Sequence, residues 1–420
     1  LVLLVGTGIY LTIRLGLLQI IRLPKAFKLI FAEDKGEGDI SSFAALATAL
    51  AATIGTGNIV GVATAIKTGG PGALFWMWIA AFFGMATKYA EGLLAIKFRT
   101  LDDQGNVSGG PMYYITHGFS GKWQIIAKPL AYFFAFAGVL VAWLGIGTFS
   151  QVNSITSSLQ NSFGWSPKIV SVILALITAA IIFGGIQSIS KVSEKVVPFM
   201  AGLYIIAALI VIFANFNQLL PVLEMVFQSA FTGKAAVGGF AGATVMAAMR
   251  LGIARGVFSN ESGLGSAPIA AAAAKTEEPV EQGLISMTGT FIDTIIICTL
   301  TGLAILVTGQ WSGSLEGAPM TQAAFSSIFG TFGELALTLS LVLFAFTTIL
   351  GWSYYGERCF EFIFKSTKFL SFYRLIFVVM VALGGYLTLE VVWKIADIVN
   401  GLMALPNLIA LLVLSPIILK

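Results

Sequence analysis

Long apolar blocks separated by short polar stretches fill this chain. The blocks fall at 1–22, 41–66, 73–98, 126–160, 168–186, 195–213, 236–275, 283–308, 335–357, 372–389 and 391–415. Each is long enough to cross a bilayer, for which about 20 apolar residues suffice. The pattern predicts an all-α, polytopic membrane protein of about eleven helices. The polar stretches are a connector at 23–40, the turn Gly69-Gly70-Pro71-Gly72, a loop at 99–123, an amphipathic connector at 214–234 and an outer loop with a short helix at 310–331. No small-residue cleavage site follows the first block, so it reads as a span and not a leader.

Two blocks are interrupted. The second carries Thr53-Ile-Gly-Thr-Gly-Asn58 and Gly61 in its middle. Glycine weakens a helix, and an unwound turn frees carbonyl and N–H groups. At membrane depth such groups are tolerated only where they are buried in protein or line a cavity. The seventh block, too long for one ordinary crossing, is centred on Arg255-Gly-Val-Phe-Ser-Asn-Glu-Ser-Gly-Leu-Gly-Ser-Ala-Pro268. Eleven blocks divide as one plus five plus five, and each five opens on an interrupted span. Matched interruptions in two halves point to an inverted repeat with a binding site at the breaks. The predicted units are an extra helix at 1–22, a cytoplasmic connector at 23–40, repeats at 41–213 and 235–415, and an outer connector at 214–234.

Composition agrees with this class. Of 420 residues, 57% are hydrophobic and 10% charged, against about 25% charged in soluble domains. Mean hydropathy is +0.91. The net charge of +4 is small, but its placement is informative. With the 23–40 connector in the cytoplasm, sixteen Lys and Arg residues, Lys35 among them, fall in cytoplasmic segments. Only Lys67, Lys168, Lys234 and Lys394 fall outside. The positive-inside rule then places the N-terminus outside and the C-terminus in the cytoplasm of a cell-membrane protein. No basic stripe suggests nucleic acid, and no obligate protein partner is evident. Cys298 and Cys359 read as buried thiols. With one histidine, His117, and no nucleophile–base pair, an enzyme is disfavoured. A channel is the alternative from another class, but no repeated filter sequence is present.

The candidate chemistry lies in polar groups inside apolar blocks. Thr347 and Thr348 are adjacent hydroxyls in the ninth span; facing the first break, they supply two hard oxygens for a cation, or else each bonds one turn back. Trp352, one turn beyond Thr348, is a candidate pocket wall or a packing residue. Asn58 and Gln151 carry both donor and acceptor groups and face the interior by default. Phe258 is placed to cover an apolar side chain. Arg255 and Glu261 flank the second break as a structural or gating ion pair. Asp293, in the eighth span, needs a partner, Arg250 or Arg255, or is itself a proton or ion site. Lys88 and Glu91 stand three apart and are expected to pair.

The stretch GGPGALFWMWIAAFFG at 69–84, with TIGTGNIVGVATAI before it and RGVFSNESGLGSAP in the seventh span, resembles the alanine or glycine:cation symporter family. That family falls within the amino acid–polyamine–organocation group, with a LeuT-like repeat of five plus five helices. The resemblance implies sodium- or proton-driven uptake of alanine or glycine, with no cofactor beyond the coupling ion. It implies that the N–H groups of Thr56 and Gly57 hold the substrate carboxylate and that Phe258 caps the substrate. One sodium site would use the carbonyls of Ala51 and Ile54 with the hydroxyls of Thr347 and Thr348. A second would use Thr53, Asn58 and Ser259.

Overall fold

The computed structural model describes residues 1–34, 36–232 and 245–420. Lys35, Lys234 and the opening residues of the expected seventh span therefore lie outside the described residues. In chain order the helices are α1 (Val2–Arg14), α2 (Leu18–Ile21), α3 (Leu23–Ile30), α4 (Ser42–Thr53), α5 (Val62–Gly69), α6 (Gly72–Lys97) and α7 (Pro111–Gly118). Then come α8 (Gln124–Leu144), α9 (Phe149–Phe163), α10 (Pro167–Ile182), α11 (Gly185–Ala214), α12 (Phe216–Thr232), α13 (Val245–Asn260) and α14 (Ala267–Ala271). The last are α15 (Pro279–Thr290), α16 (Thr299–Val307), α17 (Gly317–Phe329), α18 (Thr331–Phe364), α19 (Leu370–Gly384), α20 (Leu389–Val413) and α21 (Ser415–Ile418).

Among the described residues, seven helical runs are long and apolar enough to cross a membrane, and the bent pair α4–α5 makes an eighth. Side chains such as Ile125, Leu176, Leu220 and Phe332 face outward, as they would toward lipid. Polar side chains gather inside: Asn58, Thr348, Asp293 and Glu91 are fully buried or nearly so.

Several expected boundaries change. The 1–22 block is not one helix. Gly16 and Leu17 take left-handed backbone, with φ of 63° and 58°, and stop α1 after 13 residues. At 1.5 Å per residue that is about 20 Å of rise, short of the bilayer core. The 126–160 block is also broken, between Leu144 and Phe149. There the Thr148 hydroxyl bonds back to the Ala142 carbonyl. The 99–123 loop carries a two-stranded hairpin, Thr100–Leu101 with Val107–Ser108, and α7. The helix expected within 310–331 is α17. Both cysteines are buried and free.

The middle of the molecule is built on α6, which packs along both α13 and α15, while α18 packs on α8, α9, α11 and α4. The broken pairs α4–α5 and α13–α14 thus lie between α6 and α15 on one side and α18 on the other.

Candidate functional site

The first break begins where α4 stops at Thr53 and Ile54 turns to an extended backbone with ψ of 92°. A continuing helix would give the Gly55 N–H to the Ala51 carbonyl. Instead Gly55 N donates to Asn58 Oδ1 at 2.8 Å. Asn58 thus ties the turn with its own side chain and leaves the Ala51 carbonyl free of that bond. The chain resumes as a π-helical turn at Gly57–Gly61 and then α5, bent by 50° from α4. Such irregular turns inside helices often mark functional sites.

Two neighbours close on this break. Thr348 Oγ1 of α18 lies 3.1 Å from the Ala51 carbonyl, 3.4 Å from the Ile54 carbonyl and 3.1 Å from its own Phe344 carbonyl. One hydroxyl proton serves one of these acceptors, so several hard oxygens converge on a place that suits a cation. Gln151 of α9 accepts from the Thr56 N–H at 3.1 Å, and its Nε2 donates to Ile146 O at 2.9 Å. Gln151 Oε1 therefore occupies the acceptor position that a carboxylate oxygen would take on Thr56. Glycine is required between them: a Cβ on Gly55 would meet Thr348 Oγ1 at 2.5 Å and Gln151 Oε1 at 3.0 Å. A Cβ on Gly57 would come within 2.9 Å of Ser259 Cα and 3.3 Å of Phe258 Cδ1. The two core helices cross at that point.

The second break runs from Glu261, whose φ is 58°, to Ser266. It is held by Glu91 of α6. Glu91 Oε1 accepts the N–H groups of Gly263 and Gly265, both at 3.1 Å, and Asn407 Nδ2 at 2.7 Å. Asn407 also donates to Gly263 O at 3.0 Å and takes the Tyr114 hydroxyl. Glu261 itself accepts Trp352 Nε1 at 2.8 Å and Ser266 Oγ at 2.5 Å. Trp352, fully buried, thereby joins α18 to the second break as Thr348 joins it to the first.

Asp293 completes the centre, on a π-helical segment at Phe291–Cys298 between α15 and α16. Asn58 Nδ2 donates to Asp293 Oδ1 at 2.8 Å and to its carbonyl at 3.1 Å. Thr294 donates to Asp293 Oδ2 at 2.7 Å. Cys298 Sγ lies 3.5 Å from Asn58 Nδ2 and 3.3 Å from Ser259 Oγ. Asn58, Ser259 and Asp293 are therefore one cluster.

The structure corrects five expectations. Thr347 is not beside the first break: its hydroxyl bonds to Phe344 O at 2.9 Å and faces the Met200 thioether Sδ at 3.6 Å. Successive helical residues point about 100° apart, so only Thr348 faces α4. Thr53 is turned from the Asn58 cluster, with its hydroxyl bonded back to Ala49 O and Leu50 O at 3.1 and 3.3 Å. Arg255 pairs with Asp397, not with Glu261, through two contacts of 3.2 Å. Asp293 takes Asn58 and Thr294 in place of an arginine. Lys88 makes no ion pair with Glu91 among the described residues; the second break has taken that carboxylate. Sequence reasoning missed the roles of Glu91, Asn407 and Asp397. An asparagine deep in the apolar 391–415 block, beside Pro406, was the available signal for Asn407.

The model of the sodium:alanine symporter family matches residues 1–420. The chain belongs to that family. It is 52% identical to the sodium/alanine symporter AgcS of Methanococcus maripaludis, over 100% of this chain and 92% of that protein. It is 40% identical to a probable sodium/glutamine symporter of Bacillus subtilis, over 99% of this chain and 85% of that protein. Among solved structures, a manganese transporter of Eremococcus coleocola shares the fold, with a TM-score of 0.59 at 13% identity, over 91% of this chain and 80% of that one. A member of this symporter family is a multi-pass membrane transporter and not an enzyme.

In this symporter, polar contacts tie the elements together on either side of the site. On the α13 side, the Arg255 guanidinium spans from Asp397 to the faces of Trp393, 4.3 Å away, and Phe258, 5.7 Å away. On the α14 side, Arg99 donates to the carbonyls of Ala272, Ala274, Glu37 and Thr276 at 2.7–3.0 Å. Ile40 bridges to Ala274 as a parallel β-pair, joining the start of α4 to the end of α14. Nearby Asp39 accepts the Val107 N–H at 3.0 Å, and burial pushes its carboxyl up from the usual range. An ion network of Arg358 with Asp102, Glu357 and Glu361, and of Arg374 with Glu357, fastens the hairpin to α18 and α19.

Proposed function

We propose that this chain carries a small neutral amino acid, alanine or glycine, into the cell together with sodium, by alternating access. The observation that carries the reading is the convergence of Thr348 Oγ1 with the Ala51 and Ile54 carbonyls at a break whose Thr56 N–H is held by a side-chain oxygen. The first three are hard oxygen ligands for sodium. The N–H groups of Thr56 and Gly57, at the start of a half-helix, suit a carboxylate. Gln151 then yields its place on Thr56 to the substrate. Phe258 and Trp352 wall the side-chain space, which favours a small substrate. Asn58 and Ser259 form a second cation site with Asp293, which replaces Thr53 in it. Asp293 is also the group that would carry a proton if protons share the coupling.

Coupling follows if sodium and substrate both favour the closed arrangement of the first break, since each ligand shifts the equilibrium only by its differential affinity. We read eleven spans as one plus an inverted five-plus-five repeat, with the N-terminus outside and the C-terminus in the cytoplasm. The α13 side is then the outer one and Arg255–Asp397 its gate.

The deciding experiment is binding of a panel of neutral amino acids to the purified protein in sodium and in choline. Alanine or glycine binding only in sodium is expected. Binding indifferent to sodium would move the coupling to protons and to Asp293, and no binding in either would overturn the substrate. The gate gives a second expectation. Asp397 is half exposed, so the pair is worth about 1 kcal/mol. Asp397→Asn should lower maximal uptake roughly fivefold while the sodium concentration for half-maximal uptake stays within about twofold. A shift in sodium dependence equal to the loss of rate would place Asp397 at the ion site and not at a gate.

A further inference from the structure

The central helices enclose a second small space, largely apolar but with a few polar groups, that the described site does not use. It lies on the α14 side of both breaks, bordered by Thr53 at the end of α4 and Asn260 at the end of α13. Ala45 and Ala49 form one wall, and Ala267 and Ala271 another. Lys88 of α6 and Gln282 of α15, two helices packed against each other, both line it. Lys88 is 3% exposed and Gln282 1%. Neither Lys88 Nζ nor Gln282 Oε1 has a hydrogen-bond partner among the described residues. One small cavity therefore presents a cationic donor and a neutral acceptor, each unsatisfied.

A buried ammonium without a partner is costly, and so is a buried amide oxygen. A ligand that offers both an anion and a donor satisfies both at once. A free halide does not. It leaves the amide oxygen unpaired. A zwitterion brings its own ammonium to that oxygen. As it stands, the cavity has room for a water and not for an amino acid. The walls are alanines on α4 and α14, the two half-helices that must part for release on this side. A modest separation of those helices enlarges the cavity directly.

We propose that Lys88 and Gln282 form a second, transient station for the amino acid on its way to the cytoplasm, with the carboxylate on the Lys88 ammonium and the substrate ammonium on the Gln282 oxygen. The proposal rests on the symporter reading above. It assigns Lys88 to release and not to initial capture.

The test compares wild type with Lys88→Met, Lys88→Arg and Gln282→Leu, by sodium-dependent alanine binding in detergent and by exchange of labelled alanine in proteoliposomes. Lys88→Met should bind alanine within about threefold of wild type yet exchange it at least roughly tenfold more slowly. Lys88→Arg should recover most of that exchange, and Gln282→Leu should slow it about threefold or more. Exchange by Lys88→Met within about twofold of wild type would overturn the proposal. Binding lost in step with exchange would overturn it too, by placing Lys88 at the capture site. If Lys88→Met does not fold, Gln282→Leu decides: slowed exchange with intact binding supports the station, and unchanged exchange overturns it. Wild-type protein that binds no alanine in sodium would overturn the substrate reading itself, and the station with it. An intact wild type with unaffected variants removes the station alone.

Discussion

Thr348→Ala is expected to raise the sodium concentration for half-maximal alanine uptake about tenfold, and Thr347→Ala to shift it less than about twofold. The two hydroxyls are adjacent in sequence and differ only in direction. Thr348 Oγ1 lies among the Ala51, Ile54 and Phe344 carbonyls, while the Thr347 hydroxyl is spent on Phe344 O and faces Met200. Removing Thr348 Oγ1 takes one hard oxygen from the proposed sodium shell, and tenfold corresponds to about 1.4 kcal/mol. Removing Thr347 Oγ1 takes none. Its own bond is a local one to the preceding turn, which leaves no buried acceptor stranded when it is lost. Uptake of labelled alanine into proteoliposomes across a sodium titration measures both. Equal shifts for the two variants would show that the helix, and not one hydroxyl, sets sodium affinity. A Thr347 shift alone would reverse the assignment.

The breaks were legible because glycine and polar residues inside apolar blocks leave few other physical readings. GTGN at Gly55–Asn58 and SNESGLG at Ser259–Gly265 both interrupt helices where expected. What sequence order alone does not supply is rotational phase and long-range partner choice. Thr347 and Thr348 look equivalent in sequence but are separated by a third of a turn. Thr53 was grouped with Asn58 by similarity, yet it sits before the unwound turn and bonds within α4. Lys88 and Glu91 have helical pairing distance, but Glu91 is drawn away by two N–H groups that exist only because a distant segment is unwound. Arg255 and Asp397 are 142 positions apart, and no local pattern links them. The kinks at Gly16–Leu17 and Gly145–Thr148 were hidden by the continuous hydropathy of their blocks.

Glu91→Ala is expected to be the most destabilising of the substitutions considered. Glu91 Oε1 receives Gly263 N, Gly265 N and Asn407 Nδ2, all within a fully buried region. Truncation to alanine strands three donors where water has no ready access. Each unsatisfied buried group costs about 1–3 kcal/mol, and removal of one member of a buried charged cluster typically costs about 3–5 kcal/mol. Transport should fall with stability, because the shape of the second break sets where Glu261 meets Trp352. Glu91→Gln keeps an acceptor oxygen of the same reach and loses only the charge assistance, which roughly doubles such bonds. It should therefore keep more than half of the stability that alanine loses. Thermal melting of the detergent-purified variants checks the order: alanine should melt lowest, by roughly 5–10 °C, with glutamine between it and wild type. Wild-type melting by Glu91→Ala would mean that the break holds its shape without α6. Equal losses for alanine and glutamine would mean that the charge of Glu91 matters more than the three hydrogen bonds.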